Sequence, residues 1–200
     1  KVITLEANSK TSTYDGSEHT AAGVKTNNFE FNGVTYTVSG YSTENPVRKD
    51  AGTYTNKISG TYVVKKGETN VTDQFTVNTV DGSLVINKRS VALTSESASK
   101  AYDGTALKSS DVTVTGDGFV EGEADNISAT GSITKVGSTT NTIAYDTHDG
   151  FKERNYEITK NEGTLTITPN TDKITVTAKS NEKTYDGKAL SQDGYKVTGL

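Results

Sequence analysis

The sequence predicts an all-β protein made of tandem small β-modules. Three observations carry that prediction: a threonine-rich, proline-poor composition, Asp-Gly turn signals spread along the chain, and a residue pattern that occurs three times. Of 200 residues, threonine supplies 34, serine 18, glycine 19 and proline only 2. Threonine is β-branched and suits a pleated, half-buried surface. Asp-Gly and Asn-Gly pairs are hairpin-turn chemistry. Hydrophobic residues make up 31% and mean hydropathy is -0.59. That is thin for one deep core but adequate for several modest ones. Disorder competes for so polar a chain, and the regular alternation of valine, isoleucine, leucine and tyrosine weighs against it.

The recurring pattern centres on a tyrosine. Ser12-Thr13-Tyr14-Asp15-Gly16, Lys100-Ala101-Tyr102-Asp103-Gly104 and Lys183-Thr184-Tyr185-Asp186-Gly187 match. The last two continue alike, as Thr105-Ala106-Leu107 and Lys188-Ala189-Leu190. Eleven and nine residues before each tyrosine stand aliphatics: Ile3 and Leu5, Val91 and Leu93, Ile174 and Val176. That period of two marks the buried face of a strand. After the tyrosine, Val114-Thr115-Gly116 parallels Val197-Thr198-Gly199. The first copy delays its counterpart to Val38-Ser39-Gly40, which reads as an insertion over Val24 to Val38. Further on, Asp50 to Ile58 parallels Lys135 to Ile143, Phe75-Thr76-Val77 parallels Tyr156-Glu157-Ile158, and Asp81 to Ile86 parallels Glu162 to Ile167. The last pair reads as a turn and a closing strand.

These landmarks divide the chain into a divergent module over 1–88, a second over 90–169, and the start of a truncated third over 171–200. The linkers are short, so neighbours should lie nearly in line rather than swing on flexible tethers. In the second module, strands are expected near Val91–Ser97, Lys100–Tyr102, Val112–Thr115, Ile127–Ile133, Thr140–Tyr145, Tyr156–Thr159 and Thr164–Ile167, with one 3₁₀ turn at Phe119 to Glu123. Short strands in about 80 residues favour an Ig-like sandwich, with a β-grasp-like sheet as the alternative. Each module is expected to keep its own core.

Composition excludes several functions. Cysteine is absent, so there is no disulfide framework, thiolate metal site or cysteine nucleophile. The two histidines, His19 and His148, are too few for a histidine-rich metal site. No stretch approaches the roughly 20 apolar residues of a membrane span, so no membrane insertion is expected. A net charge of -4 argues against nucleic acid as a partner.

The recurring blocks resemble the YDG/MBG repeats of large bacterial surface proteins and adhesins. Lys100 to Leu107 and Lys183 to Leu190 match the K-x-Y-D-G-x-A-L block; Val136 to Ile143 and Asn155 to Ile167 match the later ones. The first module departs, with Ser17-Glu18-His19 after Asp15-Gly16 and Asp73-Gln74-Phe75 in place of the N-Y pair. The resemblance implies an all-β fold, an extracellular location on a bacterial, Gram-positive cell surface or wall, no catalytic activity and no cofactor.

Candidate sites follow. In Tyr14-Asp15-Gly16, Tyr102-Asp103-Gly104 and Tyr185-Asp186-Gly187, the glycine serves a positive-φ turn and the aspartate caps backbone N–H groups. The tyrosine ring packs on the core with its hydroxyl paired. The motif therefore reads as structural rather than as a ladder of sugar platforms. Asp117, Glu121, Glu123 and Asp125 cluster without the EF-hand spacing, so a solvated acidic loop is expected rather than a calcium site. His148, between Asp146 and Asp149, lacks a nucleophile elbow and reads as hairpin. Lys57 beside Asn56 does not establish an isopeptide cross-link. No enzyme is expected. The leading functional expectation is an extended, non-enzymatic stalk whose partners are adjacent modules of the same chain. The alternative is a carbohydrate- or mucin-binding module taking host glycans or surface proteins on Phe29, Phe31, Tyr36 and Tyr41.

Overall fold

The structure, a computed structural model, describes residues 1–199; Leu200, which closes the expected third module, lies outside the described residues. The chain is all-β. Its helical content among the described residues is two single 3₁₀ turns, Thr72–Gln74 and Glu153–Asn155. Residues 1–88 form β1 (Val2–Glu6), β2 (Lys10–Thr13), β3 (His19–Thr20), β4 (Asn28–Phe31), β5 (Val34–Thr43), β6 (Val47–Arg48), β7 (Gly52–Asn56), β8 (Ile58–Lys66), β9 (Thr69–Asn70), β10 (Thr76–Val80) and β11 (Gly82–Asn87). Residues 89–169 form β12 (Arg89–Ser95), β13 (Ala98–Ala101), β14 (Val112–Gly116), β15 (Ala124–Ala129), β16 (Gly137–Asn141), β17 (Ile143–Thr147), β18 (Tyr156–Asn161) and β19 (Gly163–Thr168). β20 (Thr175–Ala178) and β21 (Tyr195–Thr198) follow.

The same pairing scheme occurs in both stretches. An opening strand pairs in parallel with a late one, β1 with β10 and β12 with β18. The strand before the tyrosine pairs in parallel with the closing strand, β2 with β11 and β13 with β19. The closing strand's other edge takes an antiparallel partner, β7 or β16. Alternation sets the inner face: Ile3 and Leu5, Val91 and Leu93, Leu84 and Ile86, Leu165 and Ile167 are all buried.

One buried asparagine ties each scheme together. Asn56 donates to the carbonyls of Asn8 and Gly23 and accepts from the Asn45 N–H. Asn141 donates to the carbonyls of Glu96 and Ser109 and accepts from the Gly131 N–H. Each therefore satisfies loop backbone that strand pairing leaves over.

Several expectations change. The single strand expected over Thr140–Tyr145 divides at Thr142: β16 pairs with β19 and β17 with β15. The chain crosses between sheets there, with the Asn141 carbonyl taken by the Ser95 hydroxyl and the Thr142 carbonyl by the Thr130 N–H. Phe119 to Glu123 forms a hydrogen-bonded turn, Glu123 N–H to Val120 carbonyl, and not a 3₁₀ helix. The insertion in the first stretch starts later in register than its sequence spacing implied. Val24 bridges Ala7 antiparallel, as Val112 pairs with Ser95. Val24 thus holds the place of Val112, the counterpart of Val114 falls at Thr26 rather than at Val38, and β5 instead joins the four-stranded sheet β4-β5-β8-β9.

The cores also differ from expectation. One cluster, built on Ile3, Leu5, Val38, Ile58 and Val64, lies within residues 1–88. The other draws Tyr14, Ala21, Leu84 and Ile86 from the first stretch together with Val91, Leu93, Ile143 and Tyr156 from the second. The two stretches therefore share apolar packing rather than each keeping a wholly separate core.

Candidate functional site

The three Tyr-Asp-Gly copies share one turn geometry, although a strand leads into only the first two. Gly16, Gly104 and Gly187 have φ of 79°, 82° and 72°, the left-handed region that glycine enters without penalty. Asp15, Asp103 and Asp186 each accept the N–H two residues on, from Ser17, Thr105 and Lys188, at 2.8, 2.9 and 3.0 Å. The Ser17 N–H is the main reason that Asp15 sits below its ordinary pKa, with His19 contributing at 3.0 Å. Lys100 and Lys183 lower Asp103 and Asp186 in the same way.

The tyrosines themselves differ. Tyr14 is fully buried, whereas Tyr102 and Tyr185 are exposed, so the expectation that each ring packs on the core fits only the first. The Tyr14 hydroxyl donates to Glu123 Oε1 at 2.5 Å, across 109 residues of sequence. Tyr156 donates to Oε2 of the same carboxyl at 2.7 Å and accepts the Val120 N–H at 3.1 Å. Burial, reinforced by Glu123, pushes the Tyr14 phenol up to about 12 and raises Tyr156 as well. Glu123 is itself buried. This corrects the expectation of a wholly solvated acidic loop. The residue was visible in the sequence only as one of four acids, and nothing nearby in sequence marks the phenols it meets.

Packing explains why the carboxyl tolerates burial. One hydroxyl pairs with each of its oxygens, and burial of a paired polar group costs far less than burial of an orphan. The rings of Tyr14 and Tyr156 meet edge to face at 5.5 Å, and Phe119 and Phe151 flank Tyr156 at 5.4 and 5.3 Å. Gly16 is required by this approach: a Cβ there would lie 2.9 Å from Val120.

Polar contacts ring the buried clamp. Arg89 donates to the carbonyls of Gly118, Asp117 and Tyr14. Asp50 accepts from Asn155 at 3.0 Å, from Lys152 at 2.9 Å and from Arg154. These bonds, Asn155 first, hold its carboxyl well below the usual carboxylate range. The Ala51 N–H reaches Asn155 Oδ1 at 2.9 Å. Chemically the arrangement is a fastening: every group named is engaged with another protein group.

The other candidates are placed as follows. Phe29, Phe31 and Tyr36 line a cleft of about 160 Å³ with Phe75 and Lys1, whose ammonium sits 4.5 Å from the Phe31 ring centre. Tyr41 lies apart from that cleft. It packs on the first core, as Phe29 and Tyr36 also do. The His148 ring pairs with Asp125 at 2.9 Å, and the His148 backbone N–H donates to the Glu123 carbonyl. Among the described residues, no three His, Asp or Glu side chains are grouped to hold a metal ion, and no helix is long and apolar enough to cross a membrane. In comparisons with known proteins, no family model, curated protein or solved structure matches the chain.

Proposed function

We propose that residues 1–88 and 90–169 are consecutive copies of one β-module, that residues 171–200 open a third, and that the chain is a non-enzymatic, extended spacer segment of an extracellular bacterial surface adhesin. The carrying observation is the fastening of Tyr14 and Tyr156 onto Glu123, set in an apolar cluster drawn from both stretches. A junction closed by buried side chains resists bending, which is what a spacer requires and a freely jointed string lacks. The likeness to YDG/MBG repeats supplies the surface location and the neighbouring modules as partners. Small-angle scattering of the full chain tests the reading. An elongated profile supports it. A radius of gyration near about 16 Å, the value for a compact 200-residue domain, would overturn it.

A second reading is favoured by one feature, the aromatic cleft of Phe29, Phe31, Tyr36 and Phe75 beneath Lys1. Aromatic rings and a cation suit a carbohydrate or mucin ligand. A glycan array probed with the full chain and with Phe31→Ala decides this reading. Binding that the substitution abolishes supports it, and a blank array retires it.

A further inference from the structure

The junction has a second, open counterpart. Strand register places the equivalents: Gly137 pairs with Ile167 as Gly52 pairs with Ile86, so Lys135 and Val136 stand where Asp50 and Ala51 stand. Val176 pairs with Val197 as Leu93 pairs with Val114. A Cβ on Gly199 would strike the Lys173 carbonyl as one on Gly116 would strike that of Ser90. Asp172 therefore precedes Ile174 as Arg89 precedes Val91, and Tyr102 takes the place of Tyr14, its N–H bonded to Thr168 as that of Tyr14 is bonded to Asn87.

At the closed junction these positions are covered; at the open one they are bare. Tyr14 is 0% exposed and Tyr102 43%, while Val91 is 1% exposed and Ile174 56%. Val136 and Val176 are exposed too. Tyr102, Asp103, Asn170, Asp172 and Ile174 line a cleft of about 410 Å³. The charges are also reversed. Asp50, which meets Lys152 and Arg154, is replaced by Lys135; Arg89, which donates to loop carbonyls, is replaced by Asp172, which accepts.

We propose that the face formed by Tyr102, Val136 and Ile174 docks a β-segment equivalent to residues 118–169, the part of the second stretch that covers Tyr14 and Val91 at the closed junction, with a carboxyl for the Tyr102 hydroxyl and acidic side chains, not basic ones, facing Lys135. The inference rests on the modular reading above and adds a partner code: like-sign charges opposed across a docked face disfavour the wrong neighbour, and opposite signs admit the right one. The closed junction supplies the geometry, and the charge reversal supplies the preference.

The test extends the full chain after Leu200 with a copy of residues 118–169 in two forms. One form keeps the counterparts of Lys152 and Arg154, and the other replaces both with Glu. Acetylation of Tyr102, read by peptide mass mapping, reports docking. The acidic form should slow it at least tenfold relative to the unextended chain and the basic form at least threefold less; Lys135→Asp should exchange that order. Equal protection by both forms, or protection by neither while Tyr14 stays protected, overturns the proposal. So does protection in the unextended chain that rises with concentration, which would make a second copy the occupant. Scattering of the unextended chain judges the spacer reading separately.

Discussion

Removing the Tyr14 hydroxyl should weaken the protein by a definite amount. Tyr14→Phe keeps the ring, its edge-to-face contact with Tyr156 and the buried area, and deletes a 2.5 Å bond to a buried carboxyl. Hydrogen bonds to charged groups contribute about 1.5–3 kcal/mol, and the substitution leaves Oε1 of a buried carboxyl without its phenol donor. A loss of about 1.5–3 kcal/mol is therefore expected. Tyr156→Phe should cost about 1 kcal/mol more, because the Val120 N–H loses its acceptor as well. Tyr102→Phe, at an exposed position, should change stability by less than about 0.5 kcal/mol. Urea unfolding followed by near-ultraviolet circular dichroism of the tyrosines measures all three. Combining Tyr14→Phe with Glu123→Gln should give a coupling energy of about 1–3 kcal/mol. A Tyr14→Phe protein within 0.5 kcal/mol of the parent, or a coupling near zero, would refute the claim that this contact fastens the two stretches.

Three other outcomes are expected. Asn56→Ala and Asn141→Ala each strand three backbone groups in the interior and should cost about 2–4 kcal/mol by the same denaturation assay. Alkali should destabilise the fold. The Tyr14 phenol ionises near 10 when unfolded and about 12 when folded, so its stabilisation is complete below pH 10 and is lost between pH 10 and 12. The loss is about 2–3 kcal/mol from this group, and Tyr14→Phe should flatten that part of the profile. Gly163→Ala would place a Cβ 2.4 Å from the Glu96 carbonyl. It should cost more than Gly104→Ala, which meets no atom within 4 Å and carries only the left-handed backbone penalty of about 1–2 kcal/mol; thermal unfolding of the pair ranks them.

What local chemistry controls was legible in the sequence. The period-two aliphatics located β1, β12 and the closing strands, and Asp-Gly located the three turns, because strand burial and turn dihedrals depend on residues within a few positions. What depends on distant pairing was not legible. Glu123 looked like a loop acid because its partners stand 109 and 33 residues away. The break at Thr142 was hidden because both halves of that segment alternate alike. The counterpart of Val114 falls at Thr26, a residue outside the Val-x-Gly pattern that Val38-Ser39-Gly40 displays, so the pattern and the spacing from Tyr14 point to different positions. Asn56 and Asn141 aligned as landmarks, but nothing in their neighbours shows that each spans two loops. Of the aromatic set, three members share a cleft and Tyr41 does not: the register shift between Ser39 and Tyr41 keeps Tyr41 on the inner face with Tyr36, but five residues further along β5.

The parallel pairing of β2 with β11, and of β13 with β19, has a mechanical consequence. Tension applied between the ends of either stretch draws these two strands in opposite directions along their shared axis. The rungs between them lie across the pull, so they must rupture together in shear rather than unzip one after another. Such a clasp yields at a higher force than a hairpin peeled from its open end, whatever its equilibrium stability.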